Sequence, residues 1–332
     1  MKVAKDELKA ISARMGRDAT LIQATGGNTS IKDGGLLWVK ASGKNLANAL
    51  VEEIFVQLKL NEVIHESKNY GSESNLQPLG DSPLRPSIET SLHALMPHQV
   101  VLHSHSIDVI ALTLVQEAQA RIKECLQGIR WHWIPYCRPG RPLAKAISAV
   151  LEQGAFDVLI LENHGLVVGG QSPEAAMNLQ SEVIRRLKQP SRLNEQHINI
   201  PELMAMTKLI SGARLPIAPV IHSLATDRWS FKLAQYNPYC PDHVVFCGVR
   251  PWVKSATNPV PGPNDAYGLL PGTGVILLEK ATLATEAMLQ AQAEVLLRVP
   301  EHETIHLLTD SQCAELLDWD AEKYRQSLDR TS

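Results

Sequence analysis

The stretch Val100-Val101-Leu102-His103-Ser104-His105-Ser106-Ile107-Asp108 constrains this chain more than any other. It reads as an apolar β-strand whose end carries two histidines two residues apart. Side chains alternate faces along a strand, so His103 and His105 point the same way. Their ring nitrogens can converge on one point, as two ligands of a divalent metal must. His-x-His also occurs by chance at solvated strand ends, so its meaning depends on what else the fold brings to that point.

The bulk of the chain sets the frame. Its 332 residues allow two domains or one large one. Hydrophobic residues at 44% and charged residues at 20% are those of a soluble globular protein with a full core. A net charge of -3 gives no reason to expect nucleic acid or an anionic membrane as a partner. No apolar run is long enough to span a bilayer. The opening residues, Met1-Lys2-Val3-Ala4-Lys5-Asp6-Glu7, lack the apolar centre of a signal peptide. Five cysteines, an odd count without C-x-x-C spacing, point to reduced thiols and a cytoplasmic location. Buried, inert thiols are the default reading for all five.

Along the chain, residues 3–16 have apolar positions at helical spacing and predict an amphipathic helix. Thr25-Gly26-Gly27-Asn28-Thr29-Ser30-Ile31-Lys32, the turn Asp33-Gly34-Gly35, and Leu36-Leu37-Trp38-Val39-Lys40-Ala41-Ser42-Gly43 predict a hairpin. Gly26-Gly27 is either a plain turn or a place where backbone approaches another group closely, with Asn28 and Ser30 supplying polar groups beside it. Residues 66–83, rich in Ser, Gly, Asn and Pro, predict an exposed loop. Pro86-Ser87-Ile88-Glu89 then opens a helix, with Ser87 as its cap and Glu89 in its first turn, where the helix dipole tolerates an anion. That helix ends six residues before His103, so Glu89 can face the histidine pair or remain a surface partner of the dipole. His93 and His98 read as surface or satisfied histidines.

The most strand-like stretch, residues 155–161, ends in Glu162-Asn163-His164-Gly165. A histidine there is held by a buried strand, and the glycine after it leaves room for close approach. With the pair in view, His164 is the third ligand. Residues 189–215 change character, with a short connecting helix, and mark a boundary. Beyond it lie turns rich in proline and glycine, strands at 274–278 and 304–308, and helices at 283–298 and 311–326, a small α/β unit. Its histidines show no ligand spacing. No phosphate loop, nucleophile elbow or dinucleotide fingerprint is present.

Three histidines on strand ends plus a carboxylate make a catalytic zinc site with a position open to substrate. Such an ion acts as a Lewis acid on a carbonyl, and a nearby glutamate is a natural acid or base for carbon-bound protons. Backbone N–H groups at Gly27-Asn28 and Ser42-Gly43 can bind a phosphate or carboxylate.

These residues resemble the class II aldolase/adducin family. The likeness rests on Thr25-Gly26-Gly27-Asn28-Thr29-Ser30, Lys40-Ala41-Ser42-Gly43, Pro86-Ser87-Ile88-Glu89, His103-Ser104-His105 and Asn163-His164-Gly165, in family order over roughly residues 5–188. The resemblance implies that His103, His105 and His164 bind Zn2+, with Mn2+ or Co2+ as other divalent choices. It implies that Glu89 is the acid/base and that Gly27, Asn28, Ser42, Gly43 and Ser87 line a phosphate pocket. Ile88 stands where the family's fuculose-phosphate aldolases have a second serine. The spacing from Glu89 to His103 is more similar to the aldolase half of the bifunctional rhamnulose-phosphate aldolase/lactaldehyde dehydrogenase group. A family tyrosine donates to the departing aldehyde oxygen, and Tyr136 is the candidate for it.

The fold implied is α/β: a three-layer α/β/α class II aldolase-like domain with a mixed, mainly antiparallel central sheet over residues 1–190. A linker over 191–215 and a smaller C-terminal α/β domain over 216–332, of unknown role, complete the expectation. The function implied is a zinc-dependent aldolase acting on a small ketose or ketose phosphate through a metal-bound enediolate. Epimerase, dehydratase or decarboxylase chemistry at the same site is the alternative, and a non-catalytic adducin-like interaction module is another. Family epimerases tend to carry aspartate where Glu89 stands, and adducin heads lack the metal set. A homo-oligomer, dimer or tetramer, is also implied.

Overall fold

The computed structural model describes residues 2–68, 76–192 and 197–329. Part of the loop expected at 66–83, and residues 193–196 of the expected linker, lie outside the described residues. The chain divides into two compact units, Met1–Thr113 with Glu117–Lys188, and Leu114–Gln116 with Gln189–Ser332.

The first unit is built on seven strands: β1 (Asn28–Asp33), β2 (Leu36–Lys40), β3 (Phe55–Lys59), β4 (Val100–Ser104), β5 (Trp131–Ile134), β6 (Val158–Leu161) and β7 (Gly165–Gly170). Their order across the sheet is β3-β2-β1-β4-β7-β6-β5. Every neighbouring pair is antiparallel except β5 and β6. The sheet is therefore mixed and mainly antiparallel, as expected. A parallel pair needs a crossover that a tight turn cannot supply. The helix Arg141–Leu151 provides it here. The helices are α1 (Lys2–Gly16), α2 (Leu60–Lys68), α3 (Thr90–Leu95), α4 (Ile107–Thr113), α5 (Ala118–Cys125), α6 (Arg141–Leu151) and α7 (Pro173–Leu187).

The central strand β4 shows why the sheet is covered on both faces. Val100 and Leu102 pack with Leu8 and Met15 of α1 and with Ala176 and Met177 of α7. Val101, one residue out of phase, packs with Leu92 of α3, with Met96 just past that helix, and with Leu143 and Ile147 of α6. Each such aliphatic side chain stabilises the fold by about 1.5–3 kcal/mol when fully buried. The same alternation puts His103 on the face of Val101, under α3.

The second unit holds β8 (Trp252–Val253), β9 (Tyr267–Leu270) and β10 (Gly274–Leu277), ordered β10-β9-β8. Its helices are α8 (Ile200–Leu209), α9 (Ser223–Thr226), α10 (Arg228–Ala234), α11 (Pro241–Cys247), α12 (Leu283–Arg298), α13 (Asp310–Leu317) and α14 (Asp320–Asp329). Three expectations need correction. Residues 197–215 do not merely connect: Leu203 of α8 is buried with Trp252, Leu270, Ile276 and Leu278 in this unit's core. The expected strand at 304–308 is a single bridge, Ile305 to Val115. The expected last helix is two, α13 capped by the Thr309 side chain and α14 starting afresh after Asp318-Trp319. Aspartates compete with helical backbone for hydrogen bonds and favour such breaks. Among the described residues, no helix is long and apolar enough to cross a membrane.

Candidate metal centre

His103, His105 and His164 come together in the first unit, each buried, with one ring nitrogen from each lying within 4.8 Å of the others. Their ring centroids are 4.9, 4.9 and 5.2 Å apart. The Nε2 atoms of His103 and His105 stand 3.1 Å apart. His103 Nδ1 lies 3.1 Å from the Leu166 carbonyl oxygen, which can only accept. That contact places the ring proton on Nδ1 and turns the Nε2 lone pair inward. Glu89 Oε1 lies 3.2 Å from His164 Nε2 and 3.4 Å from His103 Nε2, and it accepts no hydrogen bond. Converging imidazole nitrogens with a buried carboxylate oxygen beside them are held together by shared ring protons or by a cation. Three imidazole nitrogens with a further position open suit a borderline divalent ion of the zinc type.

Each histidine is placed by a local cause. His103 on β4 faces Asn28 of β1 and Val167 of β7 across the two ladders. His105 lies just past the strand, where its N–H donates to the Leu21 carbonyl at 2.8 Å. His164 sits in the turn from β6 to β7. Asn163 before it adopts φ 55°, a left-handed conformation that asparagine tolerates better than most residues. Gly165 after it has φ 152°, and a Cβ there would stand 2.3 Å from the Ser104 carbonyl oxygen. The glycine thus lets the turn close onto β4. Gly27 plays a similar part on the other side: with φ 62°, its missing Cβ would stand 2.9 Å from the His103 carbonyl oxygen.

Glu89 enters differently from expectation. Helix α3 begins at Thr90, not Ser87, and Ser87 instead folds a tight turn. Its hydroxyl accepts from the Glu89 N–H at 3.2 Å, and its carbonyl accepts from the Thr90 N–H and hydroxyl at 3.1 and 2.7 Å. That turn stands Glu89 at the helix entrance, facing the imidazoles. Burial pushes the Glu89 carboxyl up, but the His103 and His164 imidazoles beside it, when protonated, outweigh burial and hold the group well below the usual carboxylate range.

The residues expected to bind an anion lie on three loops that the structure ties together. Asn28 does not simply point at solvent: its amide donates to Glu89 Oε2 at 2.6 Å. The Ser42 N–H donates to the Arg85 carbonyl at 2.9 Å, and Ala41 bridges Pro86, so Ser42-Gly43 runs beside Pro86-Ser87. Lys40, a residue with no role evident from the sequence, joins two of the loops. It is 2% exposed, and its ammonium donates to the carbonyls of Thr25 at 2.6 Å and Lys44 at 2.8 Å. The available signal was a lysine set directly between the apolar residues Val39 and Ala41.

Tyr136 lies half-buried in the loop after β5, where its N–H donates to Glu162 Oε2 at 2.9 Å, two residues before His164. His93 and His98 are both buried rather than on the surface. His93 Nδ1 is 2.8 Å from Ser30 Oγ, and burial pulls that imidazole down to about 3. His98 Nε2 is 2.8 Å from Asp157. Among the described residues, the three histidines are the one group arranged to hold a metal.

Comparison with known proteins adds family context. The family model described as the class II aldolase and adducin N-terminal domain matches residues 6–189. A Bacillus subtilis (strain 168) protein, the uncharacterized oxidoreductase YuxG, is 30% identical over 281 residues, taking in 72% of this chain. The chain spans 40% of that relative's length. The solved N-terminal class II aldolase domain of a conserved Thermoplasma acidophilum protein is 27% identical, with a TM-score of 0.47, covering 55% of this chain and 91% of that one. The L-fuculose-1-phosphate aldolase of Thermus thermophilus is 19% identical, with a TM-score of 0.38, covering 55% of this chain and 92% of that one.

Proposed function

The chain belongs to the class II aldolase and adducin family through residues 6–189, and on that footing we propose that it is a divalent-metal-dependent aldehyde-lyase. The reaction is cleavage or formation of a carbon–carbon bond in a small ketose or ketose phosphate. One observation carries this reading: three buried imidazole nitrogens converge, with Glu89 Oε1 3.2 and 3.4 Å from two of them. A substrate-binding ion and a group that can move a proton at carbon are what an aldol reaction needs in one place.

His103, His105 and His164 would hold the ion, with zinc expected and manganese or cobalt compatible with the same donors. Bound there, it would supply Lewis-acid polarisation of the substrate's carbonyl. Glu89 removes the carbon-bound proton in the condensation direction and returns one to the same carbon after cleavage. Asn28 keeps that carboxylate turned toward the imidazoles. Backbone N–H groups at Gly27 and Gly43, with the Ser42 and Ser87 hydroxyls, take the phosphate or another anionic end of the substrate. Tyr136 serves the oxygen that becomes the aldehyde, accepting its proton in cleavage and donating it in condensation.

The test is a screen of ketose phosphates, free ketoses and 2-keto acids for aldehyde release, alongside metal analysis of the purified protein. Aldehyde release that a chelator abolishes and zinc restores is the expected result. Fewer than ~0.2 equivalents of divalent metal, with no recovery on adding zinc, would sink the enzyme reading and favour a non-catalytic module. Metal-dependent turnover without aldehyde release would point instead to epimerase, dehydratase or decarboxylase chemistry.

A further inference from the structure

The second unit contains a cavity that the proposed reaction leaves unused. It has a volume of about 420 Å³ and is lined by Arg228, Trp229, Phe231, Lys232, Glu301 and His302, among others. That size lies within the range of small-molecule sites. Four of these residues come from one short helix, α10, on which Arg228 and Lys232 are four apart and so share a face.

Trp229 forms the wall. It is 8% exposed, and its indole N–H has no hydrogen-bond partner. The Lys232 ammonium lies 4.7 Å from its ring centroid, and the His302 ring lies 5.6 Å away. His302 adopts φ 66°, a left-handed conformation that histidine enters more readily than most residues. Among the described residues, Arg228 and Lys232 have no carboxylate partner. Glu301 approaches His302 alone, at 3.9 Å.

The cavity therefore offers two exposed cations that form no ion pair among the described residues, and an aromatic wall. An oxyanion answers the cations, and a planar body answers the wall. We propose that this cavity binds a small organic oxyanion, a carboxylate or phosphate ester on a planar body. The oxyanion lies between Arg228 and Lys232, and the body rests against Phe231 and the indole ring of Trp229, whose N–H reports on it. The site is in the other unit from His103, His105 and His164 and does not depend on the aldolase reading.

The test follows the indole N–H signals of the full-length protein by nitrogen-15 NMR. Trp229→Phe identifies the Trp229 signal among the six tryptophans, and His302→Ala, which removes a ring beside it, identifies it independently. Phenyl phosphate, benzoate, inorganic phosphate and phenol are titrated separately. The expected result is a saturable shift of the Trp229 signal with phenyl phosphate or benzoate at a half-saturation below about 1 mM. The Arg228→Ala/Lys232→Ala double variant, in which both exposed cations are removed, weakens it at least about tenfold. The stronger of the two ligands tells ester from carboxylate. No saturable shift with either by ~10 mM, an equal response to neutral phenol, or an unchanged response in the double variant overturns the proposal.

Discussion

Asn28 donates its side-chain amide to Glu89 at 2.6 Å from the position that faces His103 across the β1–β4 ladder. One asparagine thus links the strand beside His103 to the carboxylate that would move the proton. Asn28→Ala should leave the three imidazoles in place while freeing Glu89 to rotate. Supporting groups of this kind typically contribute 10–100-fold to activity, so kcat should fall by about that much while metal content stays near wild type. Steady-state kinetics with parallel metal analysis checks both, and undiminished kcat would show that Glu89 does not need Asn28.

Removing a ligand and removing the acid/base should give different phenotypes. His103→Ala and His164→Ala should abolish stoichiometric metal binding. Glu89→Gln keeps the shape and should retain metal while losing turnover. If Glu89→Gln turns over normally, the proton is moved by another group.

Gly165→Ala tests the turn that presents His164. The added Cβ would stand 2.3 Å from the Ser104 carbonyl oxygen, backbone that cannot swing aside. Strain of this kind in a buried site destabilises by about 2–4 kcal/mol, so the thermal midpoint should drop and metal affinity should fall with it. A variant with unchanged stability and affinity would mean the turn can move away from β4.

Lys40→Met deletes a buried charge and leaves the Thr25 and Lys44 carbonyls without their donor. Leaving such groups unpaired costs about 2–4 kcal/mol in all. Because Lys40 ties the two glycine loops together, the KM for a phosphorylated substrate should rise more than that for its unphosphorylated counterpart. Equal changes in both would confine Lys40 to a role in stability.

Acid should weaken the second unit through His243. Burial pulls this imidazole from 6.5 down to about 3, so it stays neutral in the fold over a range where the unfolded chain is protonated. The unfolded state then binds the extra proton, and stability falls as pH drops from about 6.5 toward 3. The loss is about 1.4 kcal/mol per pH unit once below the unfolded value. His243→Gln should flatten that slope by one proton in denaturant unfolding measured between pH 4 and 6.5. An unchanged slope would assign the pH dependence elsewhere.

The parts of this molecule that were legible early are those governed by local chemistry. Alternation along residues 100–105 put His103 under one helix layer, and the Gly34-Gly35 turn announced the hairpin. Asparagine and glycine on either side of His164 marked a backbone that ordinary residues resist. Local chemistry misled where pairing or breaks depend on distant partners. Residues 304–308 have the composition of a strand but find only one bridge, and the last helix divides at Asp318-Trp319.

What tertiary structure alone decided is how the pieces face one another. The Asn28–Glu89 bond spans 61 positions in the chain, and the Lys40 ammonium reaches carbonyls of the loops before β1 and after β2. No periodicity encodes such contacts, because they arise only when packing brings separate loops into hydrogen-bonding range. The sequence by itself determined which side chains can bind a metal and which face of β4 His103 takes. The sheet order β1-β4-β7 decided that three of them meet, since adjacent strands lie about 4.8 Å apart and their ends can share one ion.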